Sequence, residues 1–472
     1  MLATPACPAD SDADGDSAST GSATMLTTPS GDSDAGPTSN GTTSPTDPDT
    51  TQGPGPATDD ATDTSDPTTG EIPPNCGDGI TDPDEACDDA NMVDADGCNN
   101  DCTISGSVLW FHTQASGMGQ TDQAFAITVD DQGRAYVAGD VFGAIDVDFW
   151  VRQYEGDGLG WTSAADGGGN EGGRAIARRG DTLYVAGYQN VPAQSNNVRL
   201  RSFDLDGNNA GLNLSFNDPL NGNNVGYGVA VDPSGNIVVV SNELVSMQSN
   251  NIWVRKHDPA GTPLWTVGHN GPALGDDQSR GVAIDSASNI AVVGFQTTIE
   301  QGRDMWIRTY DTNGGVLWTA THTSLTMTND EAWGVAFDPE GNVVVAGFEG
   351  DPDPAIQWRL WLAKYDPMGM LLWAQLWDGE AGEGGRAFAV AVDDTGDIVV
   401  TGQHRNAGFD QLLVRKLDPN GNERWTTLID GAPETNQVGW GVAIGPGRRI
   451  WVAGGLNQGV DGLDVYVARL AP

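Results

Sequence analysis

A single phrase is rewritten through most of the chain. YGVAVDPSGNIVVVS at 227–241 returns as WGVAFDPEGNVVVAGF at 333–348 and as FAVAVDDTGDIVVTG at 388–402. Its core begins at Ala126, Ala175, Gly228, Gly281, Gly334, Ala389 and Gly441, in successive steps of 49, 53, 53, 53, 55 and 52 residues. A period of this length signals a repeat architecture, in which each unit buries its apolar faces only against its neighbours. In the unit around Gly228, GVAVD, NIVVVS, NIWVRKHD and LWTV are short β-branched or aromatic runs without helical period, bounded by turn residues. DPSG, with Asp first, Pro second and Gly last, is the signature of a type I turn. Four strands per unit and seven units predict an all-β fold over residues 103–472, a seven-bladed β-propeller of four-stranded antiparallel blades.

GVAVD is expected innermost, because only small residues fit where seven sheets crowd one axis. The fourth strand repeats a Trp, at Trp110, Trp161, Trp265, Trp318, Trp373 and Trp425, expected as a wedge between blades; GLNLSF lacks it. The region opens with a fourth-type strand, VLWFHT (108–113), and ends with a third-type strand, DVYVARL (464–470). The N-terminal strand is therefore expected to complete the last blade and close the ring without an exposed edge.

Two segments precede the propeller. Residues 1–75 combine Ser, Thr, Asp, Gly and Pro with almost nothing to bury, which predicts a disordered acidic tether. Residues 76–102 hold Cys76, Cys87, Cys98 and Cys102, spaced C-x10-C-x10-C-x3-C. So short a segment has no core of its own, and two disulfides are expected to hold it; three pairings stand open. The formal net charge is −44, from 66 acids against 22 bases, and 22 of the acids precede residue 103 while the first base is Arg134. Such a surface repels nucleic acid and anionic lipid. No apolar run approaches the roughly 18–20 residues that span a bilayer.

CGDGITDPDEACDDANMVDADGCNNDC closely resembles the Cys-rich disulfide repeat of secreted myxobacterial proteins, whose pattern runs CGDG, E-x-CDDGN, GDGC and C. Ala90 and Ala95 stand where that family has Gly. The resemblance implies an extracytoplasmic location. The repeat phrase itself resembles bacterial extracytoplasmic propeller repeats, D-x-x-G-N-I/V-Y-V-A-G followed by V-x-K-Y-D-x-x-G. DTNGGVLW (311–318) is similar to the tryptophan-docking element of quinoprotein-type propellers, which usually have eight blades. Cys7, before a long acidic arm, resembles the lipidated cysteine of a bacterial lipoprotein; Ala6 fits the pattern and Thr4 replaces its usual Leu. An outer-membrane, cell-surface lipoprotein or a secreted protein is the location expected, with membrane contact only through that anchor.

Candidate sites follow from the repeat. Just before the inner strand stand Phe125, Tyr227, Trp333, Phe388 and Trp440, with Arg174 and Arg280 in the other two units. Three residues earlier come Asp122, Asp277 and Asp330. Aromatics beneath polar groups suit a sugar or a peptide; the favoured reading is that the aromatics cap the inter-blade core and the acids cap turns, since features repeated in every unit usually serve the scaffold. The long loops, between second and third strands and between blades, share one face, where a ligand is expected. Asp88, Asp89, Asp94, Asp96 and Asp101 crowd the disulfide module and are a candidate Ca2+ site, although the EF-hand spacing fails. No catalytic motif of the G-x-S-x-G, H-E-x-x-H or Walker kind occurs. His269 and His322, each four after its Trp, make a weak metal pair, and Arg179-Gly180-Asp181 falls in a tight hairpin. These features favour a monomeric, non-enzymatic binding scaffold for a protein or glycan. A propeller enzyme acting on polysaccharide, with rim carboxylates as acid and base, and a periplasmic assembly scaffold are the alternatives.

Overall fold

A computed structural model describes residues 75–472, apart from 83–84, 116–119, 144–145, 157, 166–168, 300–301, 325–327, 354–355, 378–383, 407 and 460–461. The tether and Cys7 lie outside the described residues. Seven four-stranded antiparallel sheets are described. Blades 1 to 6 cover residues 123–165, 171–216, 225–269, 278–322, 331–377 and 385–429. Blade 7 takes Val438–Ile444, Ile450–Leu456 and Asp464–Leu470 from the C-terminal end, and its fourth strand is Val108–Gln114. The pairing runs from Val108↔Leu470 to Gln114↔Val465. The ring is thus closed as the strand order predicts.

First strands touch their neighbours all round the axis. The small residues are needed there: a Cβ on Gly334 would lie 2.9 Å from the Ala389 Cα, and one on Gly441 3.0 Å from the Ala126 Cα. Each pair of adjacent blades encloses its own apolar cluster, such as Val137, Trp150, Tyr154, Trp451 and Val467 between blades 1 and 7. The recurring Trp does act as a wedge. Trp265 of blade 3 donates its indole N–H to Thr312 O in the turn between the third and fourth strands of blade 4 (3.1 Å). Its ring covers Gly314, whose φ of 84° and contact with the indole both exclude a side chain. Trp161 and Trp373 repeat the arrangement on Leu205 O (2.7 Å) and Pro419 O (3.4 Å). Blade 2, which lacks the Trp, sets Leu212 and Leu214 against Gly261 instead. Trp425 packs on Gly106, so the segment leading into the first strand replaces the missing turn of the last blade.

The chain has three lysines, and all are buried. Lys256 Nζ lies 2.8 Å from Asp232 Oδ2 in its own blade and donates to Thr312 Oγ1 in the next (2.8 Å). Lys364 joins Asp338 Oδ2 (2.7 Å) to Pro419 O (3.2 Å) in the same manner.

The loops need one correction. Second and third strands were expected to be joined by long loops, yet most of these connections are tight hairpins, such as Val245↔Ser249, Val191↔Ser195 and Asn406↔Phe409. The polar residues read as loop continue the ladder, because backbone pairing does not depend on side-chain polarity. Longer connections remain at 351–357 and 457–463.

The four module cysteines pair in nested fashion, Cys76–Cys102 and Cys87–Cys98. Ala90 and Ala95, where the similar repeat has Gly, adopt φ of 65° and 66°, the left-handed region that Gly occupies without strain. The module lies against the short-turn face near blades 6 and 7, where Arg449 pairs with Asp101 (3.2 Å). The link continues into the ring through Thr427 Oγ1 to Gly106 O (2.7 Å) and Ala471 N to Ser107 O (2.9 Å).

Candidate binding site at the axial ring

Every inner strand breaks register at one residue, a β-bulge that turns one side chain out of the ladder. The bulged residues are Phe125, Arg174, Tyr227, Arg280, Trp333, Phe388 and Trp440. They lie within the inner strand rather than just before it. Ring centroids of Phe388 and Trp440 are 4.5 Å apart, Trp333 and Phe388 5.0 Å, Phe125 and Trp440 5.6 Å. Trp333 also reaches Trp440 at 5.9 Å, across blade 6, which only side chains directed at the axis can do. Arg174 stacks on Phe125 (3.8 Å), and Arg280 on Trp333 (4.1 Å) and Tyr227 (5.2 Å). The result is a collar of aromatic and guanidinium planes at the axial opening. It stands at the starts of the inner strands, on the face opposite the disulfide module.

Polar groups behind the collar fix its rings. Trp440 Nε1 donates to Gln123 Oε1 (2.5 Å) and Trp333 Nε1 to Glu331 Oε2 (3.1 Å). Glu331 also meets Arg303 (2.9 Å) and Arg280 (3.5 Å). Asp140 lies 3.0 Å from Arg174, and burial pushes its carboxyl up to about 6 despite that guanidinium. Each collar arginine thus has a buried carboxylate beside it. The stacked rings present planar faces that suit a sugar ring or an apolar side chain.

The rim acids occupy a different place. Asp122, Asp277 and Asp330 are fully buried. Asp122 Oδ1 accepts Phe142 N (2.6 Å), Asp277 Oδ1 accepts Thr297 N (2.8 Å) and Asp330 Oδ1 accepts Gly350 N (3.0 Å). Gln437 repeats the bond with Asn457 N (2.7 Å). The second oxygens of Asp277 and Asp330 accept Gly271 N and Ser324 N, both at 2.5 Å. These carboxylates pin the loop between blades to the end of the second strand. Burial pushes Asp277 up to about 6, against two backbone amides, and also raises Asp330. The acids thus cap backbone amides, the role the repeat offered for them, although no side chain identifies which amides are the donors.

In the disulfide module the five aspartates serve separate contacts. Asp88 accepts the amides of Gly77, Asp78, Gly79 and Ala90. Asp89 accepts Asn91 N, Asp94 accepts Asn100 N, Asp96 accepts Asn91 Nδ2, and Asp101 holds Thr103 and Arg449. Among the described residues no three of them converge on a common point. Cys76, Glu85 and Cys102 do come together, but the two sulfurs are bonded to each other and are not thiolate donors. His269 meets Gln296 (3.1 Å) and His322 meets Glu349 (2.6 Å). Arg179 of the Arg-Gly-Asp tripeptide donates to Pro233 O (2.7 Å).

Residues 67–103 match a family described as Domain of unknown function (DUF4215). That match covers the nested disulfides and leaves the propeller unassigned. No curated protein matches the chain. Among solved structures the chain is similar to Kuenenia stuttgartiensis hydrazine synthase, with 12% identity over 74% of this chain and 97% of that one, at a TM-score of 0.50. It is similar to a protein of unknown function from Dyadobacter fermentans, with 9% identity over 78% and 99% and a TM-score of 0.47. It is also similar to Chaetomium thermophilum Sqt1 bound to the N-terminus of ribosomal protein L10, with 12% identity over 78% and 100% and a TM-score of 0.42. At such identities the likeness is to the fold alone.

Proposed function

We propose that the chain is an extracytoplasmic, non-enzymatic binding scaffold, tethered by its acidic arm and recognising a glycan or protein through the axial collar. The observation that carries this reading is the convergence of seven bulged side chains, five of them aromatic, on one opening. Stacked planes of this kind hold a sugar face or an apolar anchor with little loss of side-chain entropy. Two disulfides favour an oxidising compartment. The disulfide module sits on the face opposite the collar and leaves the collar opening uncovered by it.

The test is a glycan and surface-protein screen with the full chain, followed by Trp333→Ala and Trp440→Ala. A ligand weakened at least tenfold by both changes supports the reading. A ligand indifferent to both removes the collar as its site, and turnover of an oligosaccharide moves the protein to the enzyme class. Detergent partitioning before and after Cys7→Ser checks the anchor; identical partitioning removes it.

A further inference from the structure

The short-turn face carries a second feature, independent of the collar. A cavity of about 600 Å3 opens across blades 4 and 5 and is bordered by the first turn of blade 6. Ile284, Trp318, Phe337 and Pro339 give it an apolar floor, and Asp285, Glu340, Asp393 and Asp394 surround them. Leu317 on its wall is 51% exposed, and Met368, which follows the lining residue Pro367, is 83% exposed. No Lys or Arg occurs among the described lining residues.

Asp393 supplies the second observation. In blades 3 and 5 the first turn reads D-x-x-G-N, and the Asp is fully engaged: Asp232 Oδ2 accepts Asn236 Nδ2 and lies by Lys256, both at 2.8 Å. Asp338 Oδ2 accepts Asn342 Nδ2 (2.8 Å) and lies by Lys364 (2.7 Å). In blade 6 the turn reads DDTGD, so Asp397 replaces the Asn and withdraws the donor. Arg424 is drawn to Asp397 (2.9 Å) and Arg448 to Asp394 (3.3 Å). Lys416 and Arg448 both stand 4.0 Å from Asp393 Oδ2, which is buried and has no hydrogen-bond donor. Thr309 Oγ1, also lining the cavity and buried, has no partner either.

We propose that this cavity docks a basic amphipathic peptide segment of a partner protein. Its apolar side chains cover Trp318 and Phe337, and one Lys or Arg nitrogen supplies the donor that Asp393 lacks. Charge complementarity favours such an occupant: residues 103–472 hold 44 acids (66 less 22) against 22 bases. Exposed ion pairs alone bind weakly, so the apolar floor must carry the selectivity.

The test uses the full chain and a fluorescent peptide of alternating lysine and leucine, read by anisotropy at about 150 mM salt, where long-range attraction is screened. Saturable binding is expected, weakened at least tenfold by the exposed-surface change Leu317→Ser/Met368→Ser and by Asp393→Asn. A lysine–serine peptide of equal charge should bind at least tenfold more weakly. Equal binding of the two peptides would show general attraction to an acidic surface and overturn the proposal. So would unchanged affinity in the Leu317→Ser/Met368→Ser variant, whose solvent-facing positions leave the fold intact.

Discussion

Ala95 is buried with a left-handed backbone, and Ala90 shares that conformation. An L-residue held there costs about 1–2 kcal/mol, partly offset by the extra freedom Gly has when unfolded. Ala95→Gly is expected to stabilise the module by about 1 kcal/mol, seen as a higher reductant concentration needed to open its disulfides. An unchanged midpoint contradicts the strain. Asp277 makes a pH prediction. Its carboxyl titrates at about 6 in the folded protein and near 3.9 in an unfolded chain. Between those values the folded state holds a proton that the unfolded state has released. The stability this group contributes is therefore complete below about pH 4 and lost as pH rises through about 6. Asp277→Asn does not titrate, so its melting temperature should fall less than that of the native protein across this window. Parallel curves would refute the assignment.

At the scale of the element, Lys256 and Lys364 bind their own blades to the next one. Lys364→Ala leaves Asp338 buried beside no cation, a change expected to cost about 3–5 kcal/mol and readable as a lower melting temperature. An amine-reactive reagent should modify none of Lys256, Lys364 and Lys416 in the folded protein and all three in denaturant, by mass spectrometry. Lys416 should be the first to react on mild warming, because its partners stand at 3.7 and 4.0 Å and burial lowers its pKa. The elements were legible where side chains carry the physics. The small residues of GVAVD marked the axis, the repeated Trp marked the wedge, and the leftover strand at 108–113 marked the closure. The collar residues were visible as a constant place in the phrase, but their bulge was not, since one extra residue leaves no compositional trace. The pairing of the cysteines, the reach of the hairpins and the amides held by Asp122, Asp277 and Asp330 depend on the backbone course, which residue identity does not encode.

Across the whole molecule, one joint completes the circle. Val108–Gln114 pairs with Asp464–Leu470, Trp110 packs against Trp451 and Tyr154, and the module braces the link through Arg449 and Trp425. Removing residues 1–114 should expose the edge of blade 7, with faster amide exchange in 464–470 and aggregation at high concentration. Unaltered exchange there would show that the strand is dispensable. This joint also sets an order of events during synthesis. The strand that leaves the ribosome first is the last to find its mate, because its mate is made at the far end of the chain. Throughout that interval VLWF is an apolar ribbon awaiting a ladder, while the cysteine-bearing segment just ahead of it is already available for oxidation. A nascent chain of this design gains most from whatever shields that ribbon until the final blade arrives.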